Sequence, residues 1–75
     1  MKFDEAVKTL IERIGPVRLH TLRFFVSRPV EELAETLRDL ENAGKIARVV
    51  ALQPDPTDYY SSHEDAEKLL RVFMA

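Results

Sequence analysis

Residues 27–46, SRPVEELAETLRDLENAGKI, form the stretch of sequence that decides the fold. It contains a helix start signal, an amphipathic segment and a helix stop signal, in that order. Its apolar residues follow the i, i+3, i+4, i+7 spacing that gathers one face of a helix, and they are Val30, Leu33, Ala34, Leu37 and Leu40. The segment therefore predicts one helix with a single buried stripe, followed by a strand.

Both ends of this helix carry local signals. Pro29 fixes φ and lacks an N–H, which suits the first helical position, and it biases Arg28 away from the α region. We therefore predict Arg28 as the N-cap, with Ser27 as the alternative because its hydroxyl can accept from an N–H of the first turn. At the other end, Gly44 can adopt the left-handed conformation that closes a helix.

The composition indicates one small folded domain. The chain has 75 residues, of which 45% are hydrophobic and 32% are charged. It has no cysteine, which excludes disulfides and thiolate metal sites and suits a reducing, intracellular setting. No apolar run approaches the roughly 18 residues needed to span a bilayer, and the N-terminus carries acids where a signal peptide is apolar. We expect a cytoplasmic protein that does not enter a membrane.

Two helices are predicted before residue 27. The first has a helical apolar stripe that ends at Gly15 and Pro16, and the stripe consists of Phe3, Val7, Leu10, Ile11 and Ile14. Val17 then makes a short extended segment. A second, short helix takes in Leu19, Leu22 and one or both of Phe24 and Phe25. A strand is the alternative, because several of these residues also suit a sheet.

After residue 44 the pattern changes to strand, turn, strand and helix. IARVVAL (46–52) is rich in β-branched residues, QPDPTD (53–58) contains two prolines, and YYSS (59–62) follows. We expect a loop of about four to six residues between the strands. Ser62 and Asp65 match the S-x-x-D capping signal of a last helix through Leu69, Leu70, Val72 and Phe73.

With these elements in order, the chain resembles the winged helix-turn-helix superfamily over nearly its whole length. The resemblance rests on Gly15-Pro16-Val17 before the second helix, on LRDLENAGKI (37–46), and on Tyr59-Tyr60 at the end of the wing. Similar modules are small transcription regulators, parts of large helicase-related proteins, and winged-helix DNA glycosylases. The implied fold is α+β, a single domain over residues 1–75 with a three-helix bundle, a two- to three-stranded antiparallel wing and a C-terminal helix.

The resemblance implies that the third helix enters a major groove and that the wing touches the neighbouring backbone. The charges of the third helix and the wing do not favour such contacts, because binding to phosphates requires Lys and Arg. The third helix carries more acids than bases, and residues 49–67 contain no Lys or Arg. The acids in these two regions are Glu31, Glu32, Glu35, Asp39, Glu41, Asp55, Asp58, Glu64, Asp65 and Glu67.

A basic strip lies between the first helix and the third, since residues 15–30 contain no acid. The candidate nucleic-acid-binding residues are Arg18, His20, Arg23, Arg28, Arg38 and Arg48. Arg23 and Arg28 rank first for phosphate contact, because the resemblance places the second helix and the start of the third near the duplex. The alternative is that these side chains are solvated or pair with Glu12, Glu32 and Asp39, which is worth about 0–1 kcal/mol each.

No motif predicts catalysis, a metal site or a cofactor. His20 and His63 are far apart in sequence, and Ser61, Ser62 and Asp65 are better explained as residues of a helix start than as parts of a hydrolase site. A chain this small has little room for a substrate pocket of about 300 Å³ or more. We therefore expect no enzyme activity and no small-molecule substrate.

Two functions remain open from sequence. The first is a nucleic-acid-binding module whose partner is duplex DNA, acting as a regulator or as an accessory domain. The second is a protein-interaction or dimerisation module whose acidic third helix and wing face a basic partner. A C-terminal edge with Phe73 and Met74 could mediate dimerisation. Of the adjacent Tyr59 and Tyr60, one should cover the core and the other should be exposed.

Overall fold

The fold follows the predicted order of elements. The computed structural model describes residues 2–52 and 55–74, the side chains of residues 73–74 excepted. The elements are α1 (Phe3–Ile14), α2 (Leu19–Leu22), α3 (Val30–Asn42), β1 (Ala47–Ala51), β2 (Thr57–Ser61) and α4 (His63–Met74). Over these described residues the chain is a small α+β domain with four helices and one two-stranded antiparallel sheet, so the predicted class is confirmed. The predicted C-terminal edge at Phe73 and Met74 lies outside the described side chains.

The core is built from the predicted apolar stripes of α1 and α3. The buried cluster consists of Val7, Ile11, Val17, Leu22, Leu33, Leu37, Leu40 and Ile46. Val30 and Ala34 lie at the edge of the α3 stripe and are half-buried. Ile14 belongs to the α1 stripe by spacing, yet 41% of it is exposed because it is the last residue of the helix, outside the core cluster.

The start of α3 differs from the prediction by one residue. Pro29 has a φ of −57° and an extended ψ of 146°, so it is the N-cap rather than the first helical residue. Its carbonyl accepts the first helical hydrogen bond, from the N–H of Leu33 at 3.1 Å. The prediction of Arg28 as N-cap is therefore wrong. Ser27 does not cap α3 either, because the helix has no side-chain capping bond.

The end of α3 is confirmed at Gly44, which has a φ of +74°. The N–H of Lys45 donates to the carbonyl of Leu40 at 2.9 Å, and the N–H of Gly44 donates to the carbonyl of Glu41 at 3.0 Å. These two bonds form a Schellman motif, which satisfies carbonyls of the last turn and reverses the chain. The reversal directs Ile46 into the core at the start of the hairpin.

The second segment is a helix rather than a strand, but it is only four residues long. The chain after Leu22 continues as a turn, so the prediction that Phe24 or Phe25 extends α2 is wrong. Both rings lie largely in solvent, with 79% of Phe24 and 59% of Phe25 exposed. Only Leu19 and Leu22 of this helix pack on the core.

β1 and β2 form an antiparallel hairpin in which Val49 lies opposite Tyr59 and Arg48 lies opposite Tyr60. The connection is five residues long, 52–56, as expected, although Gln53 and Pro54 lie outside the described residues. Val17 extends the ladder by one residue through two hydrogen bonds with Tyr60, of 2.9 and 2.8 Å. Tyr60 packs against the core as expected for one tyrosine, but Tyr59 is half-buried rather than exposed.

The last helix begins as its capping signal predicts. The N–H of Asp65 donates to Ser62 Oγ at 3.1 Å, which satisfies one free donor of the first turn. The ring of His63 donates from Nε2 to the carbonyl oxygen of Gly44 at 2.7 Å. The start of α4 is thereby joined to the turn that ends α3.

Candidate nucleic-acid interface

The α2 surface, which consists of Arg18, His20 and Arg23, is the part of the basic strip that remains open to solvent. All three side chains are exposed, because Leu19 and Leu22 occupy the side of this short helix that faces the core. Within residues 2–52 and 55–74, neither arginine of this surface forms a salt bridge. This short helix and its caps thus present two guanidinium groups and one imidazole to solvent.

An aromatic ring borders the α2 surface. The ring of Phe24 packs edge-on against His20, with ring centroids 5.6 Å apart and ring planes at 86°. The exposed Phe24 and Phe25 were missed as functional candidates because the sequence places them in a helix with an apolar side. Their adjacency was the available signal, since two neighbouring helical residues point in directions about 100° apart and cannot share one narrow face.

Arg28 points towards α1 and not towards the α2 surface. Its Nη1 lies 2.6 Å from Glu32 Oε1, one helical turn further along the chain. Its guanidinium carbon lies 4.6 Å from the centroid of the Phe3 ring, an arrangement that favours a cation–π contact. The alternative pairing with Glu32 is therefore confirmed for Arg28, whereas Glu12 pairs with Lys8 at 3.2 Å.

Arg48 on β1 contacts two carboxylates, Glu41 of α3 and Asp58 of β2, and the first of these links the hairpin to α3. Its Nε lies 3.3 Å from Glu41 Oε1, and its Nη1 lies 3.4 Å from Asp58 Oδ2. Glu41, with Asp58, raises the pKa of the Arg48 guanidinium further above its ordinary value. The charge of this predicted phosphate ligand is therefore opposed by two neighbouring acids.

Arg38 and Arg48 are the two predicted residues that the fold brings to one concave surface. They line an open groove of about 420 Å³ between α3 and the hairpin, together with Ala34, Glu41, Asn42 and Tyr60. The volume exceeds the roughly 300 Å³ for which little room was expected, because the groove is open to solvent and does not have to be enclosed by the small core. Burial, and then the nearby Asp58, raises the pKa of the Tyr60 phenol, which favours its neutral form in the groove wall. Arg38 is exposed and forms no salt bridge within the described part of the chain.

The solvent face of α3 has a mixed but mainly acidic character. By helical spacing this face carries Glu31, Glu35, Arg38 and Asn42, and all four are exposed. Asp39 is exposed beside them. A duplex inserted along this face would bring its phosphates close to three carboxylates, which is unfavourable in the absence of compensating cations.

Comparisons of the chain with protein-family models, curated proteins and solved structures find no match. In residues 2–52 and 55–74, no three His, Cys, Asp or Glu side chains are grouped as metal ligands would be. No helix in the described ranges has both the length and the apolar character needed to cross a membrane. The functional interpretation therefore depends on the geometry and charge of the surfaces described above.

Proposed function

We propose that this chain is a winged helix-turn-helix domain that binds duplex nucleic acid mainly through phosphate contacts. The order of helix, bridged residue, helix, helix, hairpin and helix supports this assignment. In it, α2 and α3 form the helix-turn-helix, and the hairpin is the wing. The domain acts without catalysis, as a regulator or as an accessory part of a larger DNA-processing protein.

The observation that carries the proposal is the open α2 surface. Arg18 and Arg23 are the N-cap and C-cap of α2, without a carboxylate partner among the described residues, and His20 lies between them. Unpaired cations bind phosphate without first breaking an internal ion pair. Arg38 has the same property on α3 and is the next candidate.

Arg28, which ranks first from the sequence, and Arg48 both rank below Arg18, Arg23 and Arg38 in this proposal. Each is within 3.4 Å of at least one carboxylate oxygen, so a phosphate would compete with Glu32, or with Glu41 and Asp58, for the guanidinium. Because the solvent face of α3 is acidic from its first turn, where Glu31 and Glu32 lie, we place the phosphates along the α2 surface. Contacts of this kind position a protein on the backbone but do not read bases.

The test is a fluorescence-anisotropy titration of a short labelled duplex at several salt concentrations. Each phosphate contact contributes about 0.9 to the slope of log affinity against log salt, so the Arg18→Ala/Arg23→Ala variant should have a slope smaller by about 1.8. Its affinity at low salt should fall on every duplex sequence tested.

The matched control is Lys8→Ala/Lys68→Ala, which removes the same formal charge from α1 and α4. Each of these lysines lies within 4 Å of a glutamate one turn away, 3.2 Å for Lys8 and 3.7 Å for Lys68. The control should keep the parent slope. An equal decrease of the slope in the control would mean that binding depends on the net charge of the domain and not on Arg18 and Arg23. Absence of duplex binding at low salt would refute the proposal.

A second candidate is supported by the acidity of α3 and the hairpin. In it the same fold is a protein-interaction or dimerisation module that never contacts DNA. Exposed apolar side chains are available for this, including Leu70 and Val72 on α4, which are 47% and 69% exposed. Sedimentation of the parent chain and of Val72→Ser tests the dimer: a concentration-independent monomer in both excludes α4 as a dimer interface.

A further inference from the structure

An apolar groove lies between α1 and the segment that joins α2 to α3, away from the α2 surface. Its volume is about 350 Å³, and it is lined mainly by carbon from Phe3, Ala6, Val7, Leu10, Phe25 and Val26. Val7 is fully buried and forms the floor, whereas 59% of Phe25 is exposed at the wall. A large aromatic ring thus lies in solvent beside an open apolar groove, and contiguous exposed apolar surface is typical of interaction sites.

The rim of this groove is basic. Arg28 lies at one end, fixed over the Phe3 ring at 4.6 Å from its centroid. Lys2, the N-cap of α1, is four residues before Ala6, and Arg13 on α1 is three residues after Leu10. By helical spacing, both therefore lie beside the lining residues on the same side of the helix. Both side chains are exposed.

The acids of α1 do not line the groove. Glu32 pairs with Arg28 at 2.6 Å and so offsets part of the positive charge at the rim.

We propose that this groove docks an acidic amphipathic helix of a partner protein. The apolar side of such a helix would fill the groove against Phe25 and Leu10, which is the helix-in-groove mode of recognition. Its flanking carboxylates would meet Lys2 and Arg13 and would share Arg28 with Glu32. Charge complementarity of this kind gives specificity and speeds association.

Other occupants fit the groove less well. A nucleic-acid backbone is polar and charged throughout, so it gains little from a carbon-lined groove. In a second copy of this chain, the exposed apolar residues Leu70 and Val72 of α4 are flanked by charges of both signs, Glu67, Lys68 and Arg71. This mixed flank complements the basic rim less well than a flank of carboxylates does.

The probes are three labelled synthetic peptides of equal length, measured by fluorescence anisotropy and by amide chemical-shift mapping on the whole chain. The first has Leu and Phe at i, i+3, i+4, i+7 spacing with Glu elsewhere. The second has the same composition in scrambled order, and the third has Lys in place of Glu. The first should bind, with its largest shifts at Phe3, Leu10, Phe25 and Val26, and the other two should bind at least about tenfold more weakly.

Ala6 provides a matched set of variants, because it is an exposed helical residue that lines the groove. Ala6→Glu places a carboxylate in the groove and should weaken binding of the acidic peptide at least about tenfold, while Ala6→Gln keeps the size without the charge and should weaken it less. Circular dichroism verifies that both variants fold. The Arg18→Ala/Arg23→Ala variant should bind the peptide as the parent does, which separates this site from the duplex-binding surface.

Four results would overturn the proposal. The first is an acidic peptide that fails to bind at about millimolar concentration, the weak end of specific recognition. The second is equal binding of the lysine peptide. The third is a chemical-shift map in which the acidic peptide perturbs α2 instead of the groove, because the groove would then have no role in peptide binding. A map in which an added duplex perturbs the groove would also overturn the proposal, because the groove would then bind nucleic acid.

Discussion

The two glycines give the sharpest test of how the helices of this domain end. Gly44 has a φ of +74° and lies in the left-handed region, whereas Gly15 has a φ of 90° with a ψ of −160°, a combination that is essentially restricted to glycine. A Cβ at Gly44 would meet no atom within 4 Å, and one at Gly15 would lie 3.9 Å from Asp65 Oδ2, which is ordinary contact. Substitution at either position is therefore governed by the backbone and not by a clash.

The expected magnitudes follow from these conformations. A left-handed backbone costs an alanine roughly 1–2 kcal/mol, and the reduced freedom of the unfolded chain offsets roughly 0.4–1 kcal/mol of it. Gly44→Ala should then lower the free energy of unfolding by about 1 kcal/mol, or about 4–8 °C in Tm for a domain of this size. Gly15→Ala should cost more, at about 1–3 kcal/mol, because its backbone region is less accessible to any L residue.

Asparagine serves as the matched control, since it enters the left-handed region more readily than alanine. Gly44→Asn should be more stable than Gly44→Ala, whereas Gly15→Asn should show no such recovery. Urea unfolding followed by circular dichroism measures all four variants. If Gly15→Ala proved no more destabilising than Gly44→Ala, or if asparagine rescued position 15, the assigned backbone conformations would be refuted.

Three further outcomes test the cap of α4, the partly buried phenol of Tyr60 and the core. Ser62→Ala should cost about 1 kcal/mol in urea unfolding, because the N–H of Asp65 loses its acceptor, and a loss of similar size in Ser62→Thr would contradict a capping role. The pKa of Tyr60 is raised above its ordinary 10.0, mainly by burial, so the stability from the neutral phenol is fully present below about pH 10 and is lost as the pH rises through the raised value. Tyr60→Phe should remove this alkaline decline in urea midpoint while Tyr59→Phe retains it, and identical profiles would exclude Tyr60 as the cause. Leu37→Ala should lower the free energy of unfolding by about 2–5 kcal/mol, since the side chain is fully buried, and a change below about 1 kcal/mol would mean that this site is not in a packed core.

The parts of the fold that depend on residues close together in the sequence could be predicted from the sequence. The stripe from Val30 to Leu40 and the reversal at Gly44 are local properties, and both agree with the structure. The predicted N-cap of α3 is one residue away from the observed one. A proline suits either the N-cap or the first helical position, and which of the two it takes depends on its ψ angle. Local patterns could not fix the length of α2, because its apolar residues continue past Leu22 into an exposed turn.

The candidate site was less predictable, because side-chain pairing depends on which elements meet. Arg48 is joined to Glu41, seven residues before it, and to Asp58, ten residues after it, and neither pairing has a helical or hairpin-turn signature. Arg28 turned towards Phe3, which is brought near only by the packing of α1 on α3. The absence of acids over residues 15–30 is a property of the sequence itself, and the structure shows that Arg18, His20 and Arg23 of this stretch are exposed. Their role as phosphate ligands stays a prediction.

The two hydrogen bonds between Val17 and Tyr60 have a consequence for the order in which this domain assembles. A four-residue helix has no stability of its own, and α2 is held at its start by a residue paired with the second strand, more than half the chain away. We therefore expect Arg18 to reach its final position only after β2 has been made and has paired with Val17. A chain that ends before residue 57 would carry Arg18, His20 and Arg23 without the pairing that fixes the start of α2.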